Sequence, residues 1–500
     1  MANKPSQQAT QQLIQLLNDG QLADAEKTAK DLVTKYPSEF ILHHILALAL
    51  DGQQKFSASI SSYQSAIKLQ PKTPDLYFNL GIALSNTNQF NEAVDAYRQA
   101  TALKPEFFEA HGNLGTVLQR LGLLDEAISS YQQGLKINPQ DARGHFNLGT
   151  ALRDKGTLGK AVTSYKQAIS LFPNYTDAYN NLGETLRDNG DMDDAVKNYQ
   201  AALSLNPDHP NANYNMGEFL YLAKKYNDAA THFDRSQLDD WQARSMYCLY
   251  KAERFDDFKS TLDHVVVSTR HTSSFIGTLS THYAINFEKG DPYNFCKNGL
   301  DFVYQNSIGE LTQENSSLLK QLLIDIESKD IAERVQGMLH YGKQSAGNLF
   351  KRPEPSFRAL AELVKQEFVH YKNKFSQADC ELIKAFPDEL EFNSSWFVKM
   401  NQGGHLDAHI HEIGWISGAV YLTIPTSDGN EAAFEYGTHG DNYPIQPNKQ
   451  QSDFPTGLAI PNVGDIVLFP SSLFHRTIPF KADEKRICIA FDLKPMTNNT

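Results

Sequence analysis

The chain has 500 residues, 41% of them hydrophobic and 11% aromatic, enough material for roughly three domains with buried cores. Its 46 basic and 59 acidic residues give a net charge of -13, which offers no surplus of cations to neutralise phosphates and argues against nucleic acid and anionic membrane as partners. The polar start from Met1 to Gln12, the lack of any run of about 18 apolar residues, and four scattered cysteines (Cys248, Cys296, Cys380, Cys488) with no CxxC pair lead to the expectation of a cytoplasmic protein. No export signal, membrane span, disulfide framework or thiolate zinc site is expected.

The first half repeats itself. Pro37, Pro71, Pro105, Pro139, Pro173 and Pro207 are each 34 residues apart, and Gly81, Gly115, Gly149, Gly183 and Gly217 keep the same step. Alanines (Ala93, Ala127, Ala161, Ala195, Ala229) follow twelve residues behind, and an aromatic recurs from Tyr63 and Tyr97 to Phe233. Within one unit Tyr77, Leu80, Gly81 and Leu84 lie on one helical face, as do Ala93, Tyr97 and Ala100, which predicts two helices that approach closely at the small residues and end at the proline. About seven such units fill residues 1–241. This pattern resembles the tetratricopeptide repeat (TPR) family, which implies an α-solenoid, the TPR superhelix, with a concave groove for a protein or peptide partner. Asn79, Asn113, Asn147, Asn181 and Asn215 recur two residues before each glycine; as in the similar repeats of O-linked N-acetylglucosamine transferases, such a ladder could hydrogen-bond an extended peptide, or be merely a common residue of the repeat.

Residues 242–345 read as an irregular helical connector, in which RSMYCLYKAERFDDFKSTLDHVV continues the stack and SSLLKQLLIDI and IAERVQGMLHYG form amphipathic helices. GKQSAGNLFKRPEP marks a boundary, and one more helix, SFRALAELVKQEFVHYKNKF, opens residues 346–500. Beyond it come short Val-, Ile-, Phe- and Tyr-rich segments parted by Gly, Pro, Asp and Asn, the pattern of an all-β module. In GGHLDAHIHEIGW, His405, Asp407, His409 and His411 alternate, so an extended backbone would turn all four to one face. Imidazoles two residues apart can converge on one ion, with iron, zinc, nickel and copper all acceptable. Downstream, His475 follows a strand and Arg486 stands eleven residues later, beyond KADEK, which reads as a hairpin. On its second strand Arg486, Cys488, Ala490 and Asp492 share a face opposite Ile487, Ile489, Phe491 and Leu493. One guanidinium among small residues leaves room for a small carboxylate.

The order HxH, WxSG, Tyr, LFPS, His and Arg, found here in HIHEIGWISGAVYLTIP, GDIVLFPSSLFH and RICIAFDL, resembles the Fe(II)/2-oxoglutarate-dependent oxygenases, in a branch often fused to TPR arrays. The resemblance implies a multidomain α + β chain, its solenoid followed by a double-stranded β-helix (jelly roll) with flanking helices. It implies His409, His411 and His475 as metal ligands, Arg486 and Tyr421 toward the cosubstrate, and Fe(II), 2-oxoglutarate and O2 as cofactors for a dioxygenase that hydroxylates a protein or peptide side chain. Where relatives carry a carboxylate this chain has His411, so a ligand set that recruits Asp407 stays open. So do a three-histidine zinc enzyme that activates water and a non-catalytic TPR scaffold with a degenerate barrel.

Overall fold

The computed structural model describes residues 4–238, 240–327, 331–334, 337–387, 390–426 and 429–495. It forms two compact units, Met1–Phe219 and Leu220–Thr500. No helix among the described residues is long and apolar enough to cross a membrane.

The first unit is a run of helix pairs, such as Pro74–Asn86 with Phe90–Leu103 and Thr176–Asp188 with Met192–Leu205. The repeated residues explain why. A Cβ built on Gly81, Gly115, Gly149 or Gly183 would fall 2.6 to 2.9 Å from the ring of Tyr97, Tyr131, Tyr165 or Tyr199, so each glycine of a first helix is the seat of the tyrosine from the second. Ala93, Ala127, Ala161 and Ala195 are fully buried, and the prolines fall in the turns that separate the units. At Gly183 the added carbon would also lie 3.0 Å from the Ala195 carbonyl, which cannot swing aside as a ring can. We expect Gly183→Val to lower stability by about 1–3 kcal/mol, the usual cost of overpacking, read as a lower urea midpoint by circular dichroism.

The second unit starts with helices, among them Trp241–Lys251, Phe255–Ser268 and Ser274–Asn286, and among its described residues carries ten strands: β1 (Tyr304–Ser307), β2 (Glu333–Arg334), β3 (Leu339–Ser345), β4 (Leu390–Leu406), β5 (Ile416–Thr423), β6 (Phe434–Gly437), β7 (Thr456–Ala459), β8 (Asp465–Pro470), β9 (Phe474–Thr477) and β10 (Arg486–Pro495). They form a seven-stranded sheet, ordered β1-β8-β5-β10-β4-β3-β2, and a three-stranded sheet, ordered β7-β6-β9, all pairs antiparallel. Val398, Met400, Tyr421, Val467 and Phe469 of the large sheet share one core with Phe434 and Ala459 of the small one. This is the double-sheet packing of a jelly roll. The outer face of the large sheet is covered by helix Pro355–Lys374, whose Phe368 meets Phe491 edge-on at 6.1 Å between ring centroids.

Two sequence expectations differ from the structure. IAERVQGMLHYG, read as a helix, supplies β2 and the start of β3, and β1 likewise lies within the expected helical connector. Edge pairing decides this: β3 completes the open side of β4, and Gly342 lets the two approach, since a Cβ there would lie 2.6 Å from the Lys399 carbonyl. The expected hairpin between His475 and Arg486 does not form either. β9 pairs with β6 in the small sheet while β10 lies between β4 and β5 in the large one, so the connection crosses from one sheet to the other.

Candidate metal centre

His409 leaves β4 just beyond its last residue and pairs with β9 through two reciprocal backbone bonds: His409 N–H to the His475 carbonyl at 3.1 Å and His475 N–H to the His409 carbonyl at 2.9 Å. The exchange sets the two imidazoles side by side, 4.2 Å between centroids, with the His411 ring 4.8 Å from that of His475. One ring nitrogen from each of the three lies within 4.8 Å of the other two.

The hydrogen bonds at the far side of each ring show which nitrogen is free. Nδ1–H of His409 donates to the Asp407 carbonyl at 2.8 Å, and that of His475 to the Leu473 carbonyl at 3.4 Å. Nδ1–H of His411 donates to the Asp492 carboxylate. A carbonyl and a carboxylate can only accept, so all three protons sit on Nδ1 and three Nε2 lone pairs are left for an ion. Burial, then the neighbouring His411 imidazole, lowers the His409 pKa to about 4; burial and both neighbouring imidazoles hold His475 well below its ordinary value. Both rings are therefore neutral at neutral pH, the form that ligates.

Asp492 stands behind His411. Its side chain is only 12% exposed and accepts from His411, from Ser417 Oγ at 2.7 Å and from Ser394 Oγ at 3.0 Å. Burial pushes its pKa up, but the adjoining His411 imidazole and the hydroxyls of Ser417 and Ser394 outweigh it and hold the group below the usual carboxylate value. Ser471 Oγ lies 2.7 Å from Ser417 Oγ. Gly414 makes the turn into this network possible, since a Cβ there would meet Ser471 Oγ at 2.4 Å. A carboxylate thus adjoins the three-histidine group through the His411 imidazole. We expect Asp492→Asn to weaken divalent-metal binding by about 10- to 100-fold, the range for such outer partners, in an equilibrium titration, with the melting temperature as a check on folding.

The three histidines line a cavity of about 330 Å³ together with Arg486, Tyr421 and Trp396. Arg486, 2% exposed, donates from Nε to the Ala432 carbonyl at 3.2 Å and lies over the Tyr421 ring, 4.9 Å from its centroid. Among the described residues no carboxylate forms an ion pair with it; Glu484, a near neighbour in sequence, is exposed and accepts from Thr426 N–H. A buried guanidinium without a counter-charge is costly unless an anion completes it. Cys488, Ala490 and Gly418 keep the cavity floor low.

The other candidates are divided up differently from the sequence expectation. The chain bends at Ala408, so the alternation is broken: His409 and His411 turn to His475, whereas His405 and Asp407 group with His340. Asp407, the alternative ligand, is therefore turned away from the three-histidine group. Trp415 packs on Phe295 and donates to the Leu382 carbonyl at 3.2 Å, a core role. Along the repeats, Asn79, Asn113, Asn147 and Asn181 are half-buried. Asn215 is nearly buried, and its amide donates to Asn180 at 3.0 Å and Glu184 at 2.9 Å while accepting from Arg187 at 3.1 Å. Asn181 accepts from the Asn180 amide at 3.3 Å, so part of the ladder has partners inside the array. Sequence reasoning missed Ser417, Trp396 and Asp492 as parts of the site. The only signal for Asp492 was its place on the Arg486 face of β10.

Residues 394–492 match the family model described as "Putative 2OG-Fe(II) oxygenase". Residues 52–88, 149–190 and 183–224 match a TPR repeat model, and residues 78–142 a second tetratricopeptide repeat model. The chain thus carries repeats that match TPR models ahead of a segment that matches the 2OG-Fe(II) oxygenase model. The oxygenase-family match runs from Ser394 to Asp492, both members of the polar network behind His411. Among curated proteins there is no match. Solved structures similar to the chain include YrrB, described as a TPR protein with an unusual peptide-binding site (22% identity, 37% of this chain and 95% of that one, TM-score 0.34). MamA from Desulfovibrio magneticus (20%, 33% and 94%, TM-score 0.33) and the C-terminal part of a TPR repeat-containing protein from Cytophaga hutchinsonii (16%, 48% and 99%, TM-score 0.42) are others.

Proposed function

We propose that the C-terminal domain is an Fe(II)/2-oxoglutarate-dependent dioxygenase that hydroxylates a protein or peptide side chain, and that the TPR array on the same chain recruits that substrate or a partner. The observation that carries the reading is the coexistence, in one cavity, of three imidazoles with free Nε2 atoms and a buried arginine without a counter-ion. His409, His411 and His475 would hold the iron, and a set of only three protein ligands would leave positions open, as non-haem iron oxygenases require. When bound, iron and the oxo acid supply oxidation of a C–H bond by O2, with 2-oxoglutarate leaving as succinate and carbon dioxide.

The chain's own part is binding and placement. Arg486 would grip the distal carboxylate through two parallel N–H bonds, held in place by the Tyr421 ring and the Ala432 carbonyl. Asp492 fixes the His411 ring and strengthens it as a donor. Trp396, Phe434 and Phe469 wall the cavity with apolar surface and exclude water around the ion. Arg486 also separates this reading from a zinc hydrolase, which has no use for an oxo acid clamp. The test is anaerobic reconstitution of the full chain with Fe(II), then exposure to O2 with succinate measured. Succinate that requires Fe(II), 2-oxoglutarate and O2 together supports the reading; hydrolytic turnover with Zn(II), indifferent to the oxo acid, rejects it. Gain of one oxygen atom by a peptide or protein added to the reaction, followed by mass spectrometry, is the corresponding test of the substrate class.

A further inference from the structure

Outside the cavity, a second group of donors meets where β3 runs beside the end of β4. The antiparallel register sets His340 directly opposite His405, and their rings stack with centroids 4.5 Å apart and planes 15° from parallel. Asp407 follows, its N–H donating to the Met338 carbonyl at 3.0 Å, so that its carboxylate comes to the same place from the other side. Asp407 Oδ2 is 2.9 Å from His340 Nε2, and Oδ1 is 3.8 Å from His405 Nε2.

We propose that His340, His405 and Asp407 form a second metal site, which takes a borderline divalent transition-metal ion such as Zn2+. Ligands at about 2.0–2.2 Å in a tetrahedron stand roughly 3.3–3.6 Å from one another, and the two nitrogen–oxygen separations bracket that spacing. The anchoring of His405 agrees, and the two rings, stacked as they stand, would turn about their Cβ–Cγ bonds to bring both lone pairs onto one ion. Nδ1–H of His405 donates to the Gly403 carbonyl at 3.0 Å, which leaves its Nε2 lone pair toward Asp407, the same far-side anchoring that prepares the three histidines of the cavity. A hydrogen bond between His340 and Asp407 alone would account for one imidazole; it gives no role to the second, whose free nitrogen faces the same carboxylate at a distance too long for a hydrogen bond. Two imidazoles and one carboxylate suit zinc, and poorly suit the all-oxygen demand of Mg2+ or Ca2+. The side chains are 28% to 42% exposed, so water has access to complete the coordination.

Such an ion would tie β3 to the segment that leads into the first centre. The Asp407 backbone carbonyl is the acceptor that orients His409, and fixing the Asp407 side chain restrains that carbonyl. The assignment does not depend on the oxygenase reading, because none of its three ligands belongs to the cavity set.

The test counts zinc in the chelator-stripped full chain after equilibration with Zn2+ and removal of excess, by elemental analysis. Two equivalents are expected in the wild type, one in His340→Ala, one in His475→Ala and none in the double variant. His340 is partly exposed, so its loss spares the fold, which an unchanged melting temperature confirms. Zinc content unchanged by His340→Ala overturns the second site, as does an equivalent retained in the double variant. One equivalent in the wild type and in His475→Ala beside none in His340→Ala would instead count against the three-histidine centre alone.

Discussion

Replacing His475 by alanine is expected to abolish Fe(II) retention. His475 is 7% exposed and stands between the two sheets, on β9, with its backbone locked to that of His409. Removing its ring leaves two imidazoles from a loop that depends on that pairing, and no other group is turned to the vacated place: Asp407 faces His340, and Asp492 is committed to His411, Ser417 and Ser394. Loss of a direct ligand should exceed the roughly 10- to 100-fold penalty for an outer partner. Iron content after desalting should fall to background, and succinate formation with it, while the far-ultraviolet circular dichroism stays that of the wild type. A His475→Ala chain that keeps one equivalent of iron at wild-type affinity would remove the basis for the metal assignment.

Arg486→Ala should leave iron in place and raise the KM for 2-oxoglutarate. The guanidinium is buried, lacks a carboxylate partner and sits in the cavity wall away from the three imidazoles' anchoring bonds. A charge-assisted hydrogen bond is worth about 1.5–3 kcal/mol, which corresponds to a KM about 10- to 150-fold higher. Arg486→Lys should recover only part of this, because an ammonium cannot offer two parallel donors. A second readout is stability: 2-oxoglutarate should raise the melting temperature of the iron-loaded wild type by mass action, and this shift should disappear in the alanine variant. A KM unchanged by both substitutions would mean that the oxo acid, if used, is held elsewhere.

The repeats were legible because a 34-residue period writes the same local physics several times over: small residues where rings seat, proline where a helix must stop. The strands of the C-terminal region were legible as strands for similar reasons of composition. What misled was connectivity and the exact course of the backbone. An alternating His405, Asp407, His409 and His411 reads as one face, yet the bend at Ala408 sends two of them to His340 and two to His475. IAERVQGMLHYG has helical spacing, but an unpaired strand edge on β4 offers it backbone hydrogen bonds that no local propensity can match.

The sequence by itself determined the type of architecture and the kinds of donor present, since repeats, strand composition and the order of histidines and arginine are local properties. Only the tertiary structure decided that Asp492 supports His411 from 81 residues away, that no carboxylate among the described residues pairs with Arg486, and that His340 joins His405 and Asp407 in a group of their own. Those pairings join residues that strand register and sheet crossing bring together, and register is set by packing across the whole domain rather than by any stretch of sequence.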